Sequence, residues 1–198
     1  MNIRGKWWAA GLAWVAAAAS CAPTVQENVG GVPPAGPIHD SPYYLPYPAG
    51  TASLMVQGNF GPFSHQDEYA LDFMMPMHAP IVAAREGVVV QVDDSNTKTC
   101  WLTRDCRGNR VIIRHEDGTR ARYWHIEHRG AAVALGERVR RGQLIATCGQ
   151  TGVAFVPHLH FSVVDENNVS LEVRFADVAE NNGVPMMYHE YISGNVEQ

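Results

Sequence analysis

The sequence predicts an all-β protein, a sandwich or barrel built from many short strands. Three observations predict it. Runs of four to eight β-branched and apolar residues recur at close spacing, broken by Gly and Asp or Asn. Glu116-Asp117-Gly118-Thr119 is a strong hairpin turn between two such runs. No stretch beyond the N-terminus sustains a helical period. The composition agrees with a folded core. The chain has 198 residues, 46% hydrophobic and 18% charged, enough for one domain and a tail.

In chain order, Met1–Ser20 comes first. Arg4 and Lys6 precede an unbroken apolar and Gly stretch from Trp7 to Ala19. That order fits a signal peptide, and the stretch is short for a bilayer span. Ala18-Ala19-Ser20-Cys21 resembles a bacterial lipobox, with Ala18 where Leu is usual. Lipidation of Cys21 would hold the protein on a membrane, and Ala22 lacks the Asp of an inner-membrane retention signal. The expectation is a secreted, outer-membrane lipoprotein facing the periplasm. Removing residues 1–21 takes two basic residues and no acidic one, leaving 13 basic against 20 acidic residues. An acidic domain of this kind is no general nucleic-acid binder.

Residues 21–50 read as the lipidated Cys and a tether. Seven of the twelve prolines fall between Ala22 and Gly50, which excludes helix and central strand. The aromatic part, Ser41 to Pro48, could pack on the domain. Residues 51–180 form the main domain and 181–198 a C-terminal tail. Within the domain, Ile81–Ala84, Gly87–Asp93, Val111–His115, Thr119–Ile126, Gln143–Thr147 and Leu159–Val164 read as strands. Cys100 and Cys106 lie between two strands. In an oxidising compartment they would close a small disulfide loop, since the CxxC spacing of a metal pair is absent. Cys148 reads as a small packed residue.

Nine histidines against two lysines (Lys6 and Lys98) favour metal or proton-transfer chemistry. In His158-Leu159-His160-Phe161 the two imidazoles share one strand face while Leu159 and Phe161 face the core. His65 and Asp72 are separated by six residues, and a loop could fold both onto one metal. His65, Asp72 and His160 would then make three protein ligands with the fourth position open, the pattern of a catalytic zinc site. Tyr123-Trp124-His125 adds a histidine on a predicted strand.

These segments together resemble the lysostaphin/LytM-type zinc metallopeptidase family over about residues 41–180. The resemblance rests on the approach Gln57-Gly58, on His65…Tyr69-Ala-Leu-Asp72-Phe73-Met-Met-Pro76, Ala79 to Val88, Tyr123-Trp-His125-Ile, the Gly136…Gly142 hairpin and Gly149…His158-Leu-His160. It implies a mainly antiparallel lysostaphin-like β fold, a barrel-sandwich hybrid with a substrate groove. It implies Zn²⁺ held by His65, Asp72 and His160. His125 and His158 would orient or deprotonate the attacking water and stabilise the oxyanion. The substrate would be the peptide part of peptidoglycan, and the reaction amide hydrolysis.

The chain departs from the common H-x-G-x-D pattern, because Glu68 stands four residues before Asp72. Glu68 is therefore the fallback ligand. The remaining histidines, His39, His78, His115, His128 and His189, carry no site role in this reading.

Two other classes compete. A non-catalytic cell-wall-binding or hydrolase-activating module would be expected to lack ligands that this chain retains. A lipoyl or biotinyl carrier would need a modifiable lysine, and Lys98 has no such context.

Overall fold

The computed structural model describes residues 38–101 and 106–198. The signal stretch, Cys21 and the first part of the tether lie outside the described residues. The strands run in chain order. β1 is Ile38–Tyr43, β2 Ala52–Gln57, β3 Leu71–Met74, β4 Pro80–Val82 and β5 Gly87–Asp93. β6 is Thr99–Cys100, β7 Arg110–Arg114, β8 Arg120–Trp124, β9 Ile126–Ala131 and β10 Arg138–Val139. β11 is Leu144–Cys148, β12 Gly152–Val153, β13 His158–Val164, β14 Ser170–Phe175 and β15 Glu190–Ile192. The helical content among the described residues is one 3₁₀ turn, Asn181–Gly183.

The large sheet runs β10-β5-β7-β8-β13-β3-β2-β15, with β14 on the far end of β13 and β1 beside β14. A small sheet, β4-β11-β9, packs with it, and β12 pairs with β6. All pairs are antiparallel except β1–β14 and β6–β12. The hairpin forms where the turn chemistry requires it. His115 N–H donates to Thr119 O, Gly118 takes φ +85°, and Asp117 Oδ1 accepts from Thr119 N–H.

Alternation sorts the large sheet into two faces. Leu159, Phe161 and Val163 of β13, Tyr123 of β8 and Ile113 of β7 point inward and are fully buried. Against them pack Phe73, Phe175, Ile81 and Ile145, forming one continuous core. Each large apolar side chain contributes roughly 2–3 kcal/mol by leaving water. The opposite face carries His158 and His160, and it is there that polar chemistry collects.

Two flanking segments pack on the domain. The segment before Thr51 is not all spacer. Tyr43, Leu45 and Tyr47 are fully buried, Tyr47 donates its hydroxyl to Tyr191 O, and Tyr43 shares a hydrogen bond with Thr119. Pro46 and Pro48 keep the part after β1 irregular, but its aromatic side chains have more apolar surface to lose than a solvated tether could leave exposed. The C-terminal segment is likewise no loose tail. β15 pairs with β2, and Tyr191 and Asn195 are buried, Asn195 donating to Leu45 O and Ala83 O.

Candidate metal centre

The site forms where β13 lies between β3 and β8. Register places Asp72 opposite His160 on one side and Trp124 opposite His160 on the other. Directly opposed residues project from the same face. Asp72 and His160 therefore meet through sheet register alone. His65 comes from the loop between β2 and β3 and is fully buried. Its Nδ1–H donates to Gly58 O at 3.0 Å, which turns Nε2 toward Asp72 and His160.

Three atoms converge. His65 Nε2 lies 3.1 Å from Asp72 Oδ1 and 3.1 Å from His160 Nδ1, and His160 Nδ1 lies 3.0 Å from Asp72 Oδ1. A tetrahedral ion with ligands at 2.0–2.1 Å spaces its donors about 3.3 Å apart. The triangle thus needs only a slight expansion to accept a divalent cation, and two imidazoles with one carboxylate suit zinc. The electrostatics agree. Burial would push the Asp72 carboxyl up, but hydrogen bonds from His160 and His65 outweigh it and hold it well below the usual carboxylate range. Burial lowers His65, and its bond to Asp72 more than offsets this, so its pKa is raised. The carboxylate is placed to demand positive charge at this point.

Glu68 lies close by, with Oε1 3.8 Å from His160 Nε2. Ligand atoms of His65, Glu68 and His160 also fall within 4.8 Å of one another. The two carboxylates address different edges of the His160 ring, Asp72 at Nδ1 and Glu68 at Nε2. Asp72 makes the tighter set and is the more buried residue.

His125 and His158 stand beside this triangle, their ring centroids 4.6 Å apart. His158 Nε2 is 3.8 Å from Asp72 Oδ1, and its Nδ1–H donates to Val156 O at 2.8 Å. His125 is not inside a strand, as the sequence suggested. It sits at the break between β8 and β9 with φ +63°, a left-handed conformation that costs a side-chain-bearing residue on the order of 1 kcal/mol. The break turns its ring toward His158, and Nδ1–H donates to Thr151 O at 2.7 Å. Gly152 permits this support. It has φ +82°, and a Cβ there would lie 2.6 Å from Gly108 Cα. Burial, with help from His158 and His160, pushes His125 down to about 3. The ring is neutral at pH 7, with Nε2 as an acceptor.

One site residue carries no chemistry of its own in the sequence. Gln57, at the end of β2, is buried and uses both ends of its amide. Nε2 donates to Asp72 Oδ2 (2.9 Å) and Ser64 Oγ (2.8 Å), while Oε1 accepts from the backbone of Phe63 and Ser64. It ties the loop that carries His65 to the carboxylate on β3. Only the unusual event of a glutamine ending an apolar strand could have signalled it.

A groove of about 970 Å³ opens over the centre. Asp67, Glu68 and Phe63 line one side; Trp101, Val153, Phe155 and Val156 line the other. The Cys100–Cys106 disulfide and the β6–β12 pairing hold Trp101 near Phe155, with ring centroids 6.3 Å apart. Four of the remaining histidines stay apart from this centre. His78 and His189 pair with Glu127 and Glu180, His128 is exposed, and His115 is buried elsewhere. Cys148 is buried, and burial pushes its thiol up to about 12.

Such a centre, with two imidazoles, a carboxylate and an adjacent histidine pair at the floor of a groove, defines a metallohydrolase class of site. The chain belongs to peptidase family M23, whose description it matches over residues 66–172. It is 39% identical over 90 residues to the peptidoglycan DD-endopeptidase ShyC of Vibrio cholerae serotype O1, covering 46% of this chain and 18% of that protein. It is 31% identical over 118 residues to the glycyl-glycine endopeptidase ALE-1 of Staphylococcus capitis, covering 60% of this chain and 27% of that one. The matches thus span well under half the length of these relatives. Among solved structures, the M23 metalloprotease pseudoalterin from the deep sea aligns over 81% of this chain and all of its own, with a TM-score of 0.51 at 14% identity. The catalytic domain of lysostaphin from Staphylococcus simulans aligns over 58% of this chain and 79% of its own, with a TM-score of 0.44 at 27% identity.

Proposed function

We propose that this chain is a zinc-dependent endopeptidase that hydrolyses peptide bonds in the stem or cross-link peptides of peptidoglycan. The observation that carries the reading is the convergence of His65 Nε2, Asp72 Oδ1 and His160 Nδ1 beside the His125–His158 pair. The residues that would hold the metal are His65, Asp72 and His160. Zinc bound there supplies Lewis-acid polarisation of a scissile carbonyl and brings the pKa of water to about 7. Every other part is protein. Gln57 and Gly58 O fix the carboxylate and His65 in orientation. His125 and His158 each commit Nδ1–H to a backbone carbonyl, leaving Nε2 free to accept a proton from the attacking water. The ring that takes the proton becomes a donor, able to steady the oxyanion or protonate the departing amine. The relatives that are named as peptidoglycan and glycyl-glycine endopeptidases support this substrate class.

Purified protein is expected to carry about one zinc per chain and to release peptides from purified peptidoglycan, read by mass spectrometry. His160→Ala should lose both. Stoichiometric zinc retained in that variant would refute the ligand assignment. Zinc-free wild type with intact binding to the cell wall would favour a non-catalytic module.

We further propose export and lipidation at Cys21, which would place the domain on the outer membrane facing the periplasm. Cys21→Ser should move the protein from the detergent phase to the aqueous phase, and unchanged partitioning would exclude the anchor.

A further inference from the structure

The sheet face that carries the metal centre continues into a row of arginines. Register places Arg110 opposite Trp124, Arg122 opposite Ser162 and Ile112, and Arg120 opposite Arg114 and Val164. By strand alternation all of these project from the face of Asp72 and His160. Arg122 is the diagonal neighbour of His160, a separation of about 7–8 Å between backbones. Its register partners Ser162 and Ile112 are buried although they sit on the outer face.

The row is short of negative charge. Arg110 pairs with Asp93 at 2.8 Å and stacks over the Trp124 ring. Arg120 is held by the backbone oxygens of Asp165 and Glu166, and Arg122 by the neutral Asn168 Oδ1 at 2.7 Å. Among the described residues, neither Arg120 nor Arg122 makes a salt bridge. The Nε groups of Arg110 and Arg120 are buried without a hydrogen-bond partner. Burial lowers Arg122, and Arg120 and Arg110 lower it further, while Glu68 acts on it only through space. Arg110, Arg120 and Arg122, with one paired carboxylate among them, therefore share the sheet face of the reaction centre in an otherwise acidic protein.

We infer that Arg122, backed by Arg110 and Arg120, is a subsite for a substrate carboxylate, so that the preferred substrate is a peptide bearing a free carboxylate within about two residues of the cleaved bond. The distance sets this range, because an extended peptide advances about 3.3 Å per residue. A guanidinium offers a planar fork that a carboxylate matches with two parallel hydrogen bonds. The proposal rests on the peptidase reading above and names the chemistry its substrate must carry.

The test separates the two. Stem peptides freed from purified peptidoglycan by an amidase are compared before and after chemical amidation of their carboxylates. Affinity is measured by calorimetry on the metal-stripped full chain, with circular dichroism checking the fold. The native stems should bind about tenfold more tightly than the amidated ones. Arg122→Gln should abolish that difference, and Arg122→Lys, which keeps charge but not the fork, should retain part of it. Equal affinity for both peptide sets, or an undiminished difference in Arg122→Gln, would overturn the subsite. Hydrolysis by the zinc-loaded chain is scored separately. Absence of hydrolysis would defeat the peptidase reading while the binding contrast still decided the subsite.

Discussion

His115 and His125 stand one position beyond the two strands of the same hairpin, β7 and β8, and their local bonding is nearly identical. Each donates Nδ1–H to a backbone carbonyl at 2.7 Å, His115 to Glu86 and His125 to Thr151. Burial pushes both down, to about 4 and about 3. The second nitrogen separates them. His115 Nε2 is buried without a partner, and the ring packs edge-on against Tyr43 at 5.3 Å. His125 Nε2 is on the side of a groove that also holds His158, His160 and Asp72. The lesson is that a depressed imidazole is not in itself a site. What the free nitrogen faces decides whether the ring does chemistry or only packs.

Exchanging the roles should give the largest effect. His125→Ala should retain one zinc and a near-native melting temperature while turnover falls about 10²- to 10⁴-fold. The matching His115→Leu variant should keep wild-type turnover at pH 8. Full activity in His125→Ala would end the distinction between the two rings.

The next effect concerns stability in acid. The folded pKa of His115 lies below its unfolded value of about 6.5. Its neutral burial therefore contributes fully above pH 6.5, and the contribution is lost as pH falls toward 4. The loss amounts to roughly 3 kcal/mol at most. Denaturant titrations of wild type and His115→Leu between pH 8 and 4 isolate this term, because the other histidines are common to both. Wild type should lose more stability than the variant over that range. Parallel curves would mean that His115 is not held neutral.

A smaller change should follow from loosening the support beneath the functional ring's neighbours. Gln57→Ala leaves every proposed ligand in place but removes the donor to Asp72 Oδ2 and the tie to the His65 loop. Zinc affinity, measured by chelator competition, should weaken about 10- to 100-fold. Unchanged affinity would show that the ligands orient themselves.

Much of the centre was readable from local pattern. The H-x-H pair follows from alternation on a strand whose other residues, Leu159 and Phe161, are core. The Asp117-Gly118 turn follows from its own conformational chemistry, and the strands around it appear within a residue or two of where the pattern puts them. The local pattern puts His125 within a strand, whereas it stands at the break between β8 and β9, because a left-handed residue leaves no periodic trace in Tyr-Trp-His-Ile. Gln57 was read only as part of a motif, since its role depends on partners in a loop and on a second strand. The arginine row was invisible for the same reason. Arg110 and Arg122 are unremarkable until register lays one strand against the next.

The sequence by itself determined the all-β class, the hairpin, the shared face of His158 and His160, and the residue types able to hold a metal. These depend on the period of a strand and on the preferences of short turns, which act over a few residues. Only the tertiary structure decided that Asp72 rather than Glu68 meets His65 and His160 most closely, that Tyr43, Leu45 and Tyr47 belong to the core, and that Arg110, Arg120 and Arg122 share the sheet face of the centre. Those outcomes depend on strand register and on which side chains must leave water together, and neither is written within a few residues of the atoms concerned.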